Sequence, residues 1–562
     1  MASVEVVRFA LSRDLLGIGG LLIKNWFVVI VCLLASQAFA QGTYTATSCS
    51  QAAVAAAIAS EQAHPVDGDI ISIPAGRCTW TGGISVTFNN LVTIQGAGAI
   101  SATTGGVSTT GSDLTAITNH NGNNPVMDIV TTAGKSFRFT GIALLEDSGS
   151  SSGAKLVIEG QSSSVRVDHC HFYIYVSGSI GLVLVGGVTG VADHLYINTT
   201  QDITLNFVFD NGANWKDDPD PNGLGNKSWT DTDNFGTSQF FYVEDSRISG
   251  GGVSDCGRGG RYVVRYSTLL NTHGHYDHGT YNQYRGCRAM ESYQNIFNNT
   301  STSESGGIEH SNGGTSMLWG NTVIGSGRGS FGNIVNFGPP RTVGNYGTRG
   351  SAYPPNGFGL CGNVLQSNGL TEDSPWDGNQ NTTTGYPCID QPGRGAGDLL
   401  SGNFPPNGPG ICNITLNPAC RVFTGQYPRQ TLIPVYVWDN TLSGSQATSI
   451  SGYIQSSALL ADNLDYYQQF GTLGESGSFN GTKGVGQGLL SARPSTCMAG
   501  TDPETGGSAP GVGYWATDTN TLYVCNPTNT WTAYYTPYTY PHPLTQSSIG
   551  TAPALRRTSG LP

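Results

Sequence analysis

Val167-Asp168-His169-Cys170-His171-Phe172 reads VDHCHF, and Ala192–Ile197 repeats the pattern as ADHLYI. The shared frame is an apolar residue, an outward residue, a turn residue of the Asp, Asn or His type, a small residue, any residue, then an apolar one. It returns as VEDSRI from Val243 and VRYSTL from Val264, and more loosely as SYQNIF from Ser292, LWGNTV from Leu318 and VWDNTL from Val437. Successive starts from 243 to 318 lie 21, 28 and 26 residues apart. The interval from 192 to 243 is twice as long and carries a polar loop around Asp210 to Asp233. A repeat of this length marks a stacked supersecondary unit. Each coil holds short strands that cannot bury their apolar faces alone. Stacking coils about 4.8 Å apart lets every strand pair with the next. Alternation in SFRFTGIALL (136–145), KLVIEG (155–160) and SVRVDH (164–169) argues for strands rather than helices.

Composition agrees. Of 562 residues only 11% are charged, while glycine reaches 79, which suits short strands joined by tight turns. The formal net charge is −12, so a phosphate backbone would be repelled and nucleic acid is excluded as a partner class. Lys24 precedes the apolar run Trp26–Ala40, which ends in Ala38-Phe39-Ala40. A basic flank, a short apolar run and an A-x-A end read as a secretory signal over residues 1–40, cut before Gln41. The run is short for a span, so no membrane association is expected after its removal.

Cysteine usage fits export. No C-x-x-C pair occurs, so a structural zinc site of that kind has no support. Pairing sequence neighbours gives 49–78, 256–287, 361–388, 412–420 and 497–525. This leaves Cys170, which the repeat places inside, alone. Each bridge would contribute roughly 3 kcal/mol in the chain-entropy account.

Ser48–Ala63 (SCSQAAVAAAIASEQA) is Ala-rich behind Ser capping candidates and predicts a helix. Placed before GDIISIPAGRCTWTGGISV (68–86) and NLVTIQGAG (90–98), it would cover the open first coil. The order of cap helix, DIISIPAGRCTW, NLVTIQGAG and then V-x-D-H/N-x-x-F coils resembles the pectate-lyase-like right-handed parallel β-helix superfamily. The resemblance covers about residues 45–345, with one more coil near 430–442. It implies an all-β fold, a right-handed parallel β-helix solenoid with an N-terminal capping helix. The superfamily holds lyases, hydrolases, epimerases and non-catalytic surface proteins, so fold alone does not set activity.

The solenoid is expected over 41–345. A Gly-, Pro- and Asn-rich, disulfide-stapled extension over 346–495 returns to a coil near 430–442. A small β-hairpin module over 496–545 is pinned by Cys497 and Cys525, and 546–562 form a tail. In the module, Trp515, Tyr523 and Trp531 suit a small core, with sugar stacking as the alternative.

Aligning the repeats puts Asp168, Asp193, Glu244, Arg265, Tyr293 and Trp319 in one outward ladder, with Trp438 beyond. Asp168, Asp193 and Glu244 are candidate ligands for Ca²⁺, a hard cation that prefers oxygen. Arg261 and Arg265 could clamp a sugar carboxylate, and Tyr293 and Trp319 could stack on sugar rings. The bland alternative is a solvated face that discourages aggregation.

β-Elimination on a uronate glycan needs a cation to neutralise the carboxylate, a base for the C5 proton and an acid for the leaving oxygen. The resemblance implies Arg or Lys as base in Ca²⁺-dependent members, which makes Arg265 and Arg288 candidates. His278 and Tyr281 suit acid–base work with less strain on their ordinary pKa values. His273, His275 and His310 are candidate substrate contacts. Hydrolysis would need two carboxylates, with Asp168 and Asp193 on neighbouring coils as one option. The G-D-D element of polygalacturonase-type relatives is missing, since Asp217-Asp218 follows Lys216. Asp218-Pro-Asp220-Pro-Asn222-Gly223 resembles the start of a calcium loop, but Trp229 stands where the closing Glu belongs.

Finally, His273, His275, Asp277 and His278 spell H-x-H-x-D-H, the binuclear zinc string of metallo-β-lactamases. Here no alternating helices surround it, and only His310 and His542 follow. Zinc is therefore disfavoured, and the string is expected to fill a turn between coils. These observations favour a secreted β-helix that binds an extracellular polysaccharide and cleaves it by elimination. Glycoside hydrolysis and non-catalytic glycan binding are the alternatives.

Overall fold

The computed structural model describes residues 41–199, 201, 204–217, 223, 225–279, 285–299, 307–324, 335–337, 390–397, 431–442, 445–446, 450–451, 460–472, 474–502 and 507–546. The signal reading over 1–40, Tyr281, the acidic stretch from Asp218 to Asn222, and Cys361, Cys388, Cys412 and Cys420 lie outside the described residues.

Three long sheets form the walls of a right-handed parallel β-helix. Sheet I has twelve strands, sheet II eleven and sheet III ten among the described residues. Pairing within them is parallel except where Thr441–Leu442 meets Ser445–Gln446. The ladder register read from the repeat is observed. Asp168 pairs with Asp193, Asp193 with Glu244, Glu244 with Arg265, Arg265 with Tyr293, Tyr293 with Trp319 and Trp319 with Trp438.

The corner from sheet I to sheet II is turned by one residue at positive φ on every one of these coils. His169, His194, Asp245, Tyr266, Gln294, Gly320 and Asp439 hold φ between 47° and 63°. Few residue types tolerate that conformation well, which accounts for His, Asp or Gly at five of these seven third positions, Tyr266 and Gln294 being the other two.

The fourth position points inward and links the coils. Asn321 Oδ1 accepts from Asn295 N–H at 3.1 Å, and Asn440 Oδ1 accepts from Asn321 N–H at 3.0 Å. The Asn321 amide donates onward to Ser292 O at 2.8 Å. In earlier coils Ser246 and Ser267 take over, with Ser267 Oγ accepting from Ser246 N–H at 3.1 Å. Cys170, at the same position, is buried and unpaired as a thiol. Small or amide side chains recur here because the backbone groups at the corner need partners inside.

Apolar ladders of Ile, Val, Leu and Phe fill the lumen between the walls. Gln51–Gln62 forms the cap helix. Ser50 accepts from Ala53 N–H, and Val54, Ala57 and Ile58 are buried against the first coil. Disulfides 49–78, 256–287 and 497–525 are formed. The C-terminal sheet begins earlier than the hairpin expectation. Val485–Gly488 adds a parallel strand to the antiparallel strands Gly513–Ala516, Thr521–Cys525 and Trp531–Tyr535.

Replacing Asn321 by Ala strips partners from Asn295 N–H and Ser292 O inside the corner. The expected loss is on the order of 3 kcal/mol, seen as a lower urea midpoint with an unchanged slope.

Candidate functional site

The outward ladder of sheet I is not an open face. Asp168, Asp193, Glu244, Arg265 and Tyr293 have no exposed surface, and Trp319 retains 7%. The C-terminal sheet and the irregular strap after it, which ends in the short helix Pro543–Gln546, lie on top. Arg265 donates to Tyr538 O at 2.7 Å and Thr539 O at 2.9 Å, and His542 N–H donates to Glu244 Oε1 at 2.8 Å. Arg166 donates to Leu544 O at 3.2 Å, while Tyr266 stacks on Tyr540 with centroids 3.8 Å apart. Tyr293, Trp319 and Trp438 form a continuous stack that Trp515 joins. The aromatic residues expected to meet sugar thus form a second apolar core between solenoid and module.

The expected calcium ligands are already neutralised. Arg138 grips Asp168 at 2.6 and 2.7 Å, Arg166 grips Asp193 at 2.9 and 3.0 Å, and Arg265 Nε meets Glu244 at 2.8 Å. Burial alone would raise the Asp168 carboxyl, yet Arg138, His169 and Arg166 hold it well below its usual range. At Glu244 burial wins over Arg265 and raises the carboxyl. Three carboxylates fully engaged by guanidinium groups do not fit a hard dication, which needs their lone pairs.

The other arginines are also structural anchors. Arg261 donates to Ser228 Oγ and O and to Thr232 and Asp233 carbonyls, and packs on Trp215. Burial and neighbouring Arg288 pull it down to about 9. Arg288 pairs with Asp233 against Trp229, and Arg285 with Asp390 at 2.5 Å. All three are fully buried. A uronate carboxylate has no route to them as they stand.

The H-x-H-x-D-H string is not gathered in a turn: His275 and Asp277 are buried in one strand, His273 at its start is partly exposed, and His278 lies just past its end. His273–Asp277 is a strand of sheet III, whereas the ladder belongs to sheet I. Strand alternation sends His275 and Asp277 into the lumen and leaves Tyr276 facing out. Inside, His275 Nδ1 meets Ser254 Oγ at 2.8 Å, Ser254 Oγ donates to Tyr262 Oη at 3.0 Å, and Tyr262 donates to Asp277 Oδ1 at 2.9 Å. Ser316 donates to Glu309 at 2.7 Å. Burial pulls His275 down to about 3, so it is neutral. Burial, with Glu309 beside it, lifts Asp277 far above its usual range, and burial raises Glu309 as well. Two buried carboxyls that face one another share a proton.

The outer surface of sheet III is different. One column runs Asp128, Val157, Val183, Val208, Asp255, Tyr276 and His310 in register, and a second runs Glu159, Val185 and Asp210. All of these are partly exposed. Where the columns meet, four charged or titratable side chains gather from three coils. Arg258 Nε lies 3.3 Å from Asp210 Oδ2, and His278 Nε2 lies 2.9 Å from Asp255 Oδ1. Side-chain exposures of 24% for Asp210, 22% for Asp255 and 34% for Arg258 leave them reachable from solvent. Burial and the Asp255 charge push Asp210 up to about 6, against Arg258 and His278. That value suits a carboxyl that gives up a proton near neutrality.

Of the residues expected from sequence, His278 stands in this cluster, while His310 and His273 stand near it through ring contacts with Tyr276. Asp210, Asp255 and Arg258 were missed. Their only sequence signal is an acid at an outward position late in the strands LNFVFD (205–210) and GVSDC (252–256).

No protein-family model matches the chain, and no curated protein matches it. Among solved structures, the chain is similar to the catalytic domain of a GH87 alpha-1,3-glucanase in complex with tetrasaccharides. Identity is 10% and the TM-score 0.22, over 71% of this chain and 63% of that one.

Arg265→Ala would leave Glu244 buried without its cation and free the strap carbonyls. A loss of about 3–5 kcal/mol is expected, with earlier proteolysis after Tyr535. A second expectation concerns pH. Glu291 accepts from Gly236 N–H and Tyr535 Oη, both at 2.7 Å, and burial pushes it up to about 7 despite those bonds. Its folded pKa exceeds its unfolded one, so its stabilising share is full below about pH 4.3 and fades as pH rises towards 7. Denaturant midpoints of Glu291→Gln should therefore fall less than wild type between pH 5 and 7.5.

Proposed function

We propose that the protein is a carbohydrate-cleaving β-helix enzyme that works by general acid–base hydrolysis on the outer face of sheet III. The observation that carries this reading is the pairing of Asp210, pushed up to about 6, with Asp255 held by His278. Asp210 would donate its proton to the glycosidic oxygen as the C1–O bond breaks. Asp255 would take a proton from the water whose oxygen bonds to C1. Arg258 and His278 set the charge and orientation of the two carboxyls. The acids stand on neighbouring coils and two positions apart along the strand. Strand spacing and rise put their Cα atoms roughly 8 Å apart.

Hydrolysis gains over elimination on electrostatic grounds. Arg261, Arg265 and Arg288 are buried. Arg258 faces Asp210, and Asp128 and Glu159 continue the acidic character along sheet III. Such an acidic face suits a neutral glycan better than a polyuronate. No step needs calcium. Three disulfides fit an oxidising, extracytoplasmic setting and an extracellular polysaccharide as partner.

A panel of neutral and acidic polysaccharides tests the proposal by new reducing ends and by absorbance of unsaturated products. Reducing ends without that absorbance are expected. Asp210→Asn should lower the rate about 10²–10⁴-fold. Wild-type rate should decline as pH rises through about 6, where Asp210 loses its proton. Unsaturated products would establish elimination instead, and binding with neither signal a non-catalytic glycan-binding role. Full activity in both Asp210→Asn and Asp255→Asn would move the site elsewhere.

A further inference from the structure

The repeated Asp-His pair of the two opening coils forms a second cluster, on the corner between sheets I and II. His169 and His194 occupy the same corner position on adjacent coils, at φ 52° and 55°. That backbone turns both side chains outward over the buried carboxylates of their own coils. His169 Nδ1 lies 2.9 Å from Asp168 Oδ2, and His194 Nδ1 lies 2.9 Å from Asp193 Oδ2. The two rings stack with centroids 4.9 Å apart and planes 4° apart.

A carboxylate can only accept, so each Nδ1 carries a proton, and once the ring is neutral its Nε2 holds the lone pair; the Asp193 bond raises His194, so a metal must displace a proton there. This fixed tautomer, with a carboxylate behind the imidazole, is the arrangement that orients histidine ligands towards a metal and raises their basicity. The carboxylates are themselves immobile, held by Arg138 and Arg166. The backbone is fixed too, since His169 N–H donates to Asp193 O at 3.2 Å and Ala102 N–H donates to His194 O at 3.1 Å. Imidazole nitrogen selects borderline dications over calcium or magnesium.

We propose that His169 and His194 form a surface site for one transition-metal dication of the Zn²⁺ or Cu²⁺ type, bound through both Nε2 atoms with water completing the coordination. As the rings stand, their lone pairs run parallel, so convergence on one ion requires one ring to tilt about its Nδ1–carboxylate contact, which is kept. His169 is the one free to do so, with 48% of its side chain exposed against 25% for His194. Asp245, next along the corner, accepts from Gly105 N–H at 2.7 Å and Tyr540 Oη at 2.9 Å, and holds the strap rather than the ion. The site is separate from the H-x-H-x-D-H string and from the Asp210–Asp255 cluster. Cys170 is buried and does not compete.

Calorimetric titration of the full chain with ZnCl₂ and CuCl₂ at pH 7.5 tests this, beside His169→Ala and His194→Ala. Wild type should show a binding event that each variant weakens at least tenfold, while metal-free melts keep a single transition lowered only by the cost of alanine at positive φ. The Cu²⁺ electron paramagnetic resonance spectrum should show two imidazole nitrogens in wild type and fewer in each variant. Equal affinity and an equal nitrogen count in wild type and both variants would overturn the proposal. So would loss in His194→Ala alone, which would mean a single-histidine contact.

Discussion

Parallel pairing of one coil with the next, in fixed register, is the constraint on which the whole molecule depends. Each coil must return to the same place after three strands. The corner between sheets I and II must therefore be turned in a single residue, and that residue takes positive φ. From this follow the His, Asp and Gly preference at the third repeat position, the inward amide or hydroxyl at the fourth from Ser246 onward, and the straight outward ladders. The ladders in turn bring like side chains together. Aromatic residues stack favourably, but a row of acids at strand spacing repels.

The protein resolves that repulsion by setting arginine against acid. Arg138, Arg166 and Arg265 meet Asp168, Asp193 and Glu244, and the latter two arginines also hold the returning C-terminal strap. A face that would otherwise offer charges and aromatic rings to solvent becomes an internal interface. With that face closed, the partly exposed acids of sheet III form a charged cluster that stays open to solvent. The same stacking rule that makes Asp168 and Asp193 structural puts Asp210 and Asp255 within range of one another on the opposite wall.

Much of this was legible in the sequence. The repeat frame predicted the fold and each rung of the ladder, because a period-2 strand and a one-residue corner leave little freedom in register. Neighbouring cysteines paired as expected at 49–78, 256–287 and 497–525. The H-x-H-x-D-H string misled only while it was read as a linear motif. On a strand His275 and Asp277, two residues apart, share the inward face and go into a lumen where burial keeps the histidine neutral and the acid protonated, while His278 lies past the strand's end.

The sequence by itself determined the solenoid, its register, its cap and its inward and outward positions. These follow from local alternation and from which residues tolerate positive φ. The tertiary structure decided which outward face is covered. The contacts that bury sheet I join Arg265 to Tyr538 and Glu244 to His542, nearly three hundred residues apart, and no periodicity encodes them. It also decided the character of each acid. Asp168 and Asp210 are both aspartates late in a strand, but one meets two arginines and stays ionised. The other is desolvated beside a neighbouring acid, which together outweigh Arg258 and His278 and raise its pKa to about 6.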